Sequence, residues 1–172
     1  MMYLFDLDDT LISGYMDSPT KDYADWHVLP RRRKIISELL QAGHVVAIVT
    51  NQGGVAFGYV DKAACDHKLE RALHELGLVE PRWDGSPRPP LVFVCIHDVR
   101  GKAPYNDPDE AMRRKPSGAM IREAIADYPR AAAKGVVYVG DREEDRAAAD
   151  DAGVLFEWAS RFFGDGARED DR

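Results

Sequence analysis

The chain has 172 residues, a formal net charge of −7, 45% apolar and 31% charged residues, and two cysteines. That length fits one domain with a substantial core, and no apolar run approaches the roughly 18 residues of a membrane span. The acidic balance argues against broad binding of a phosphate backbone, which needs clustered Lys and Arg. Cys65 and Cys95 alone make no disulfide framework and favour a reducing, cytoplasmic setting.

The first predicted element, Met2–Phe5, is an apolar strand running straight into Asp6-Leu7-Asp8-Asp9-Thr10. The chain therefore opens on a core strand and not on a charged-then-apolar signal segment. Residues i and i+2 of an extended segment face the same way, so Asp6 and Asp8 leave the strand end together. Two like charges held that close need a shared cation or proton. The pair points either to a metal site or to one carboxylate acting as nucleophile beside another acting as acid. Asp9 falls on the opposite face and reads as structural.

Ser13–Pro30, with Gly14, Pro19 and Pro30, reads as a loop or flap. Arg31-Arg32-Arg33-Lys34 reads as a solvated helix start, and Arg32–Gln41 as a helix with Ile35, Ile36, Leu39 and Leu40 on one stripe and Gly43 beyond its end. Val45–Val49 is the next strand, followed by Thr50-Asn51-Gln52-Gly53-Gly54. Asp61 is placed to cap a helix carrying Leu69, Ala72, Leu73 and Leu76 and stopped by Gly77. Pro81–Pro90 reads as a surface loop, Leu91–Ile96 as a strand, and Val99–Arg114 as a second loop. Ser117 is placed to cap a helix with Met120, Ile121, Ala124 and Ile125 inward. Val136–Val139 and Val154–Phe156 are the last two strands, with a helix over Glu143–Ala152 between them ending at Gly153. Glu143 and Glu144 read as first-turn residues favoured by the helix dipole. The acidic tail, residues 164–172, is expected to be disordered.

Most of these strands are continuously apolar, the pattern of strands buried on both faces of a parallel sheet. Strand–helix alternation then predicts a doubly wound α/β fold, whose ligands bind beyond the carboxyl ends of the strands. Those ends carry Asp6 and Asp8, Thr50 and Asn51, and Gly140-Asp141.

With these residues in order, the chain resembles the haloacid dehalogenase (HAD) superfamily of phosphatases over about Met1–Phe163. Asp6-Leu7-Asp8-Asp9-Thr10 looks like its first motif and Thr50-Asn51-Gln52-Gly53 like its second. Arg114-Lys115-Pro116 looks like the third, and Gly140-Asp141 with Asp145 like the fourth. The resemblance implies a HAD-like Rossmannoid three-layer sandwich over residues 1–163. It also implies a Mg²⁺-dependent phosphomonoester hydrolase working through an aspartyl-phosphate. Asp6 would be the nucleophile and Asp8 the acid and base. Asp6, the backbone carbonyl of Asp8, and Asp141 would hold the Mg²⁺. Thr50, Asn51, Lys115 and Arg142 would bind the phosphate, and Asp145 would hold a metal-bound water or orient Lys115.

Only 39 residues separate Thr10 from Thr50 and 60 separate Gly54 from Lys115, and predicted elements fill both intervals, so no cap domain is expected. Two capless groups share the Thr-Asn-Gln motif. One comprises the heptose-bisphosphate and histidinol-phosphate phosphatases, the other the 3′-phosphatase domain of polynucleotide kinase/phosphatase. The first group carries a loop zinc site. Cys95-Ile96-His97 keeps its first half, but the Cys-x-Cys expected before Arg114-Lys115-Pro116 is absent. A structural zinc needs four ligands, so zinc is not expected and Cys95 reads as a buried strand residue. Asp25-Trp26 before Leu29-Pro30 resembles the second group, in which Trp26 or Tyr15 would stack on a base; packing of either on the core is the competing reading. The substrate expected is a small phosphorylated metabolite. Nucleic acid is the alternative and a non-catalytic binding module a third reading.

Overall fold

In the computed structural model the described residues are 1–14, 22–78 and 91–165. Five parallel strands, β1 (Met2–Phe5), β2 (Val45–Asn51), β3 (Val92–Cys95), β4 (Val136–Gly140) and β5 (Leu155–Trp158), form one sheet in the order β3-β2-β1-β4-β5. β1 is central, with Phe5 opposite Ile48 of β2 on one side and Val139 of β4 on the other. Connections run outward from β1 in opposite directions, so a crevice opens at its carboxyl end.

Both faces of the sheet are covered, which accounts for the continuous apolar runs. Phe5, Val46, Ile48, Val137 and Val139 point into one core, together with Ile36, Leu69 and Phe163. Met2, Leu4, Ala47, Val49, Val136 and Tyr138 point into the other, with Met120, Ile121 and Ala148. The first core belongs to α1 (Arg32–Gln41), α2 (Lys62–Leu76) and α6 (Ala159–Phe163). The second belongs to α3 (Ala119–Asp127) and α5 (Glu143–Ala152), with the single turn α4 (Pro129–Ala132) beside them. This is the doubly wound α/β sandwich expected from the strand pattern.

α1 and α5 have the bounds expected, and Asp61 caps α2 by accepting the Ala64 N–H at 2.7 Å. α3 starts at Ala119 and not at the Ser117 cap expected. Its first free N–H groups are met from elsewhere: Gly118 N donates to the Asp151 carboxylate of α5 at 2.7 Å, leaving Ser117 Oγ a 3.3 Å bond to Ala119 N. β5 extends to Trp158, past the expected end at Phe156, because an edge strand tolerates the charged Glu157 that breaks its apolar run. The short helix α6, absent from the sequence reading, packs Phe163 within 5.7 Å of the Phe5 ring.

Arg32 does not sit in a solvated cluster as expected. It is buried at 3% exposure, its guanidinium 4.2 Å above the Phe163 ring and doubly bonded to the Asp165 carboxylate. Its Nε donates to the Thr10 carbonyl at 2.9 Å. Arg31 Nη1 donates to the Gly164 carbonyl, so the first two residues of the acidic tail are tied down; residues 166–172 lie outside the described residues. Trp26 is buried in the first core with the Arg71 guanidinium 4.0 Å over its ring. Tyr15 and the Pro81–Pro90 loop lie outside the described residues, among which no inserted cap domain occurs. No helix described is long and apolar enough to cross a membrane.

Gly118 lets the start of α3 lie close against α5: a Cβ there would lie 2.7 Å from Ala152 N and 2.8 Å from the Ala148 carbonyl oxygen. Both are helix backbone and cannot yield. Gly118→Ala is expected to cost about 1–3 kcal/mol by overpacking, read as a lower denaturation midpoint in urea with an unchanged slope.

Candidate active site

The strand ends bring the sequence-predicted residues together. Asp6 N continues the β1–β4 ladder by bonding the Val139 carbonyl at 2.9 Å, which fixes its side chain at the mouth of the crevice. One pocket of about 210 Å³ is lined by Asp6, Asp8, Asp9, Thr50, Asn51, Lys115 and Arg142, among others. Asp141 lies beside it, its carboxylate accepting the Thr10 hydroxyl at 3.2 Å.

Lys115 is the hub. Only 2% exposed, its ammonium donates to Asp6 Oδ1 at 2.5 Å, Asp145 Oδ1 at 2.5 Å and the Tyr138 hydroxyl oxygen at 3.0 Å. Burial disfavours the charged amine, but Asp6 and Asp145 outweigh it and hold its pKa above the ordinary lysine value. Asp145 is spent on structure: Oδ1 also accepts the Tyr138 hydroxyl at 2.8 Å, and Oδ2 accepts Arg142 N at 3.1 Å. Gly140 permits this, since any Cβ there would overlap the Asp145 side chain. Burial and the neighbouring carboxylates keep the Tyr138 phenol well above its usual pKa, so it stays protonated and donates.

Three carboxylates converge on this point. Asp6, Asp141 and Asp145 each place an oxygen within 4.8 Å of the others. Burial pushes the Asp6 pKa up to about 8; Lys115 opposes that rise, and Asp145 and Asp141 add to it. Asp141 is pushed up to about 6 by burial and by Asp145, against the pull of Arg142. Such crowding favours a hard cation bound through oxygen. With Asp145 already engaged, Asp6 and Asp141 are the side chains fitted to hold it.

The remaining residues sort by what their polar atoms touch. Asn51 clasps the Lys115 backbone from both sides, accepting its N–H at 3.0 Å and donating to its carbonyl at 3.2 Å, just before the cis Lys115–Pro116 bond. Its amide thus places the lysine. Arg142, 57% exposed, reaches Asp9 at 3.2 Å from the pocket rim. Asp9 adopts φ 61° and accepts Gly14 N at 2.9 Å, which folds the turn after the motif; that turn brings it onto the same pocket as Asp6 and Asp8, not the opposite face expected. Asp8 points away from Lys115. Its Oδ1 accepts Lys68 Nζ at 2.6 Å and its Oδ2 accepts Gln52 Nε2 at 2.7 Å.

Tyr138 and Lys68 were missed from sequence, and Gln52 stood in the second motif without a role. Tyr138 sits inside an apolar strand, where a buried hydroxyl always calls for a partner. Lys68 lies on the buried stripe of α2 with Cys65, Leu69, Ala72 and Leu76, and a lysine on such a stripe is the available signal. Cys95 is buried in the second core with its Sγ 3.6 Å from the carbonyls of His97 and Glu110. His97 Nδ1 accepts Asp107 N at 2.9 Å. The loop beyond is knitted by Asn106, which bonds Asp98 and Gly101, and by Asp98, which pairs with Arg100 at 3.0 Å.

A parallel sheet whose strand ends gather paired aspartates, a buried lysine and a carboxylate cluster is the arrangement of a phosphatase of the HAD superfamily. The chain belongs to the polynucleotide kinase 3 phosphatase family, whose model matches residues 1–164. It is 33% identical over 148 residues to the D-glycero-beta-D-manno-heptose-1,7-bisphosphate 7-phosphatase of Bordetella bronchiseptica, covering 84% of this chain and 73% of that protein. The Pseudomonas putida protein of the same name is 33% identical over 142 residues, covering 82% and 72%. Among solved structures, a putative HAD-like phosphatase from Mesorhizobium loti superposes with a TM-score of 0.64 at 28% identity, over 88% of this chain and 68% of that one. The B. bronchiseptica heptose bisphosphate phosphatase, complexed with magnesium and phosphate, gives 0.67 at 24% identity over 99% and 89%. The protein is accordingly a phosphoric monoester hydrolase.

The raised carboxylates set a pH dependence. An unfolded chain loses these protons near pH 3.8, whereas the folded one holds them to about pH 6 at Asp141 and about pH 8 at Asp6. Stability of the metal-free protein therefore falls as pH rises from about 4 to about 8. Mg²⁺ binds the ionised forms, so its stabilisation, about 2.7 kcal/mol at a hundredfold excess over Kd, is expected to grow between pH 5 and pH 8. Thermal melts with and without Mg²⁺ measure this; an equal shift at both pH values would contradict the assignment of Asp6 and Asp141.

Proposed function

We propose that the protein hydrolyses the phosphomonoester of a small phosphorylated metabolite, a sugar phosphate, through an aspartyl-phosphate on Asp6. The observation that carries this reading is the Lys115 ammonium held 2.5 Å from Asp6 Oδ1, in a pocket that also exposes Asp8. With Oδ1 tethered, Oδ2 of Asp6 attacks phosphorus in line with the leaving oxygen. The new Oδ2–P bond forms as the P–O bond to the alcohol breaks. Asp8 delivers a proton to the departing alkoxide, and in the second half takes one from the water that attacks the phosphoenzyme. Inorganic phosphate leaves and the Asp6 carboxylate is restored. Thr50, Lys115 and Arg142 face the phosphate oxygens, while Asn51 serves by placing Lys115. Asp6, the Asp8 carbonyl and Asp141 would hold Mg²⁺, which supplies charge neutralisation on the phosphate oxygens.

The pocket volume of about 210 Å³ is below the roughly 300–1,000 Å³ of a site that encloses a drug-sized ligand. It suits a phosphate and the first carbons of its alcohol, with the rest of the substrate lying along the rim. The curated relatives named as heptose-bisphosphate 7-phosphatases support a sugar phosphate. The family model named for a polynucleotide 3′-phosphatase favours a second reading, a 3′-phosphorylated nucleic-acid end; the net charge of −7 weighs against a long phosphate backbone. We assign catalysis to residues 1–163, with the acidic segment 164–172 as an appendage latched at its start. Two free buried cysteines suit the cytoplasm.

Asp6→Asn is expected to lower Mg²⁺-dependent phosphate release by at least about 10³-fold, and Asp8→Asn by about 10²–10⁴-fold. Undiminished turnover in Asp6→Asn would remove the nucleophile. A release panel of sugar phosphates, histidinol phosphate, nucleotides and 3′-phosphorylated oligonucleotides tests the substrate. Preference for the oligonucleotides would establish the second reading.

A further inference from the structure

Lys68 has no part in the four motifs, yet it is placed as though the reaction needed it. It occupies the core-facing stripe of α2, where Cys65, Leu69, Ala72 and Leu76 are its buried neighbours. Its side chain is 2% exposed and points not along the helix but across to the β1 end, where Nζ meets Asp8 Oδ1 at 2.6 Å. The Tyr23 ring lies 4.6 Å from the same ammonium. Sinking an ammonium in a core costs several kcal/mol unless a close counter-charge offsets it. A leucine in that position would extend the apolar stripe at no such cost.

The pairing has a directional result. Asp8 Oδ1 is held by Lys68 and Oδ2 by Gln52 Nε2 at 2.7 Å, so both ends of the carboxylate are pinned and its plane is set. Gln52 is itself fixed, its Oε1 accepting the Tyr23 hydroxyl at 2.7 Å and its Nε2 reaching Thr50 Oγ1 at 3.0 Å. The Asp8 side chain is thereby turned away from Lys115 and Asp145, leaving Asp6 alone on the lysine hub. Each carboxylate oxygen has two lone pairs, so a pinned Asp8 keeps sites open toward the pocket that Tyr23 also lines.

We propose that Lys68 is a positioning residue for the acid/base: with Gln52 it locks the Asp8 carboxylate in the orientation that meets the leaving alcohol. The inference rests on the phosphatase reading above. Proton delivery matters in proportion to how poor the leaving group is, so loss of Asp8 orientation should be felt by an alkyl phosphate and spared by an activated aryl phosphate. The ratio kcat/KM isolates the step in which the alcohol departs.

The test uses the full chain with Mg²⁺, comparing wild type, Lys68→Met and Lys68→Gln on a sugar phosphate and on p-nitrophenyl phosphate. A misaligned catalytic group costs about 10²-fold, so kcat/KM on the sugar phosphate is expected to fall by about that factor in Lys68→Met. On the aryl ester it should stay within about threefold of wild type, which also shows that the variant is folded. Lys68→Gln, which keeps a donor, should lie between the two. Equal losses on both esters in both variants, or no loss on either, would overturn the proposal. Asp6→Asn run in parallel separates the two levels: it should abolish both activities, and if it does not, the nucleophile reading fails whatever Lys68 does.

Discussion

One buried ammonium organises the catalytic end of this sheet. Lys115 sits between Asp6 and Asp145 with the Tyr138 hydroxyl as its third partner. A lone charge in that position would be strongly penalised, and removing the ammonium would leave two buried carboxylates without a counter-charge, a loss of about 3–5 kcal/mol. The surroundings are arranged to keep the group whole. Asn51 grips the Lys115 backbone, Gly140 clears the space against which Asp145 lies, and Asp145 in turn caps the Arg142 N–H at the start of α5. Four chain segments therefore meet around one nitrogen, and the Asp6 carboxylate inherits its rigidity from that meeting.

The sheet explains why the meeting happens there. β1 pairs with β2 and β4 on its two sides, so the residues that follow each of these strands come out side by side. Asp6 follows β1, Asp141 follows β4, and Thr50 and Asn51 end β2. The two carboxylates of the opening motif then diverge. Asp6 turns toward Lys115 in the interior of the crevice, and Asp8 toward Lys68 and Gln52 on its other side. One strand end thus presents two acids of the same type in two different electrostatic settings, the condition that the proposed division between nucleophile and acid/base requires.

Much of this was legible in the sequence where the signal is local. Continuous apolar runs announced strands buried on both faces, and caps such as Asp61, Gly77 and Gly153 placed helix ends because each satisfies backbone groups within a few residues. The convergence of Asp6, Thr50 and Asp141 was readable because parallel sheets put strand ends in one place, and Lys115, which lies ahead of α3, was readable only through the motif resemblance. What escaped is held by contacts across long separations. Lys68 reaches a partner 60 residues away, Tyr138 looks like one more apolar residue of its strand, and the cap of α3 comes from Asp151 on another helix. Arg32 read as solvated because its neighbours Arg31, Arg33 and Lys34 are charged; only the fold brings Asp165 and Phe163 to it.

That last contact ties the order of synthesis to the making of the site. The Arg32 guanidinium bonds the Thr10 carbonyl, and the Thr10 hydroxyl bonds Asp141, so Arg32 stands one step behind the carboxylate cluster. Its own counter-charge lies 133 residues further along the chain. A nascent chain emerging from the ribosome carries Arg32 through all of those residues before the matching carboxylate exists. The turn after β1 is closed by its own backbone bonds, but the guanidinium that braces it from behind is neutralised only when α6 has packed and Asp165 has followed it, so one end of the fold steadies the loop formed by the other.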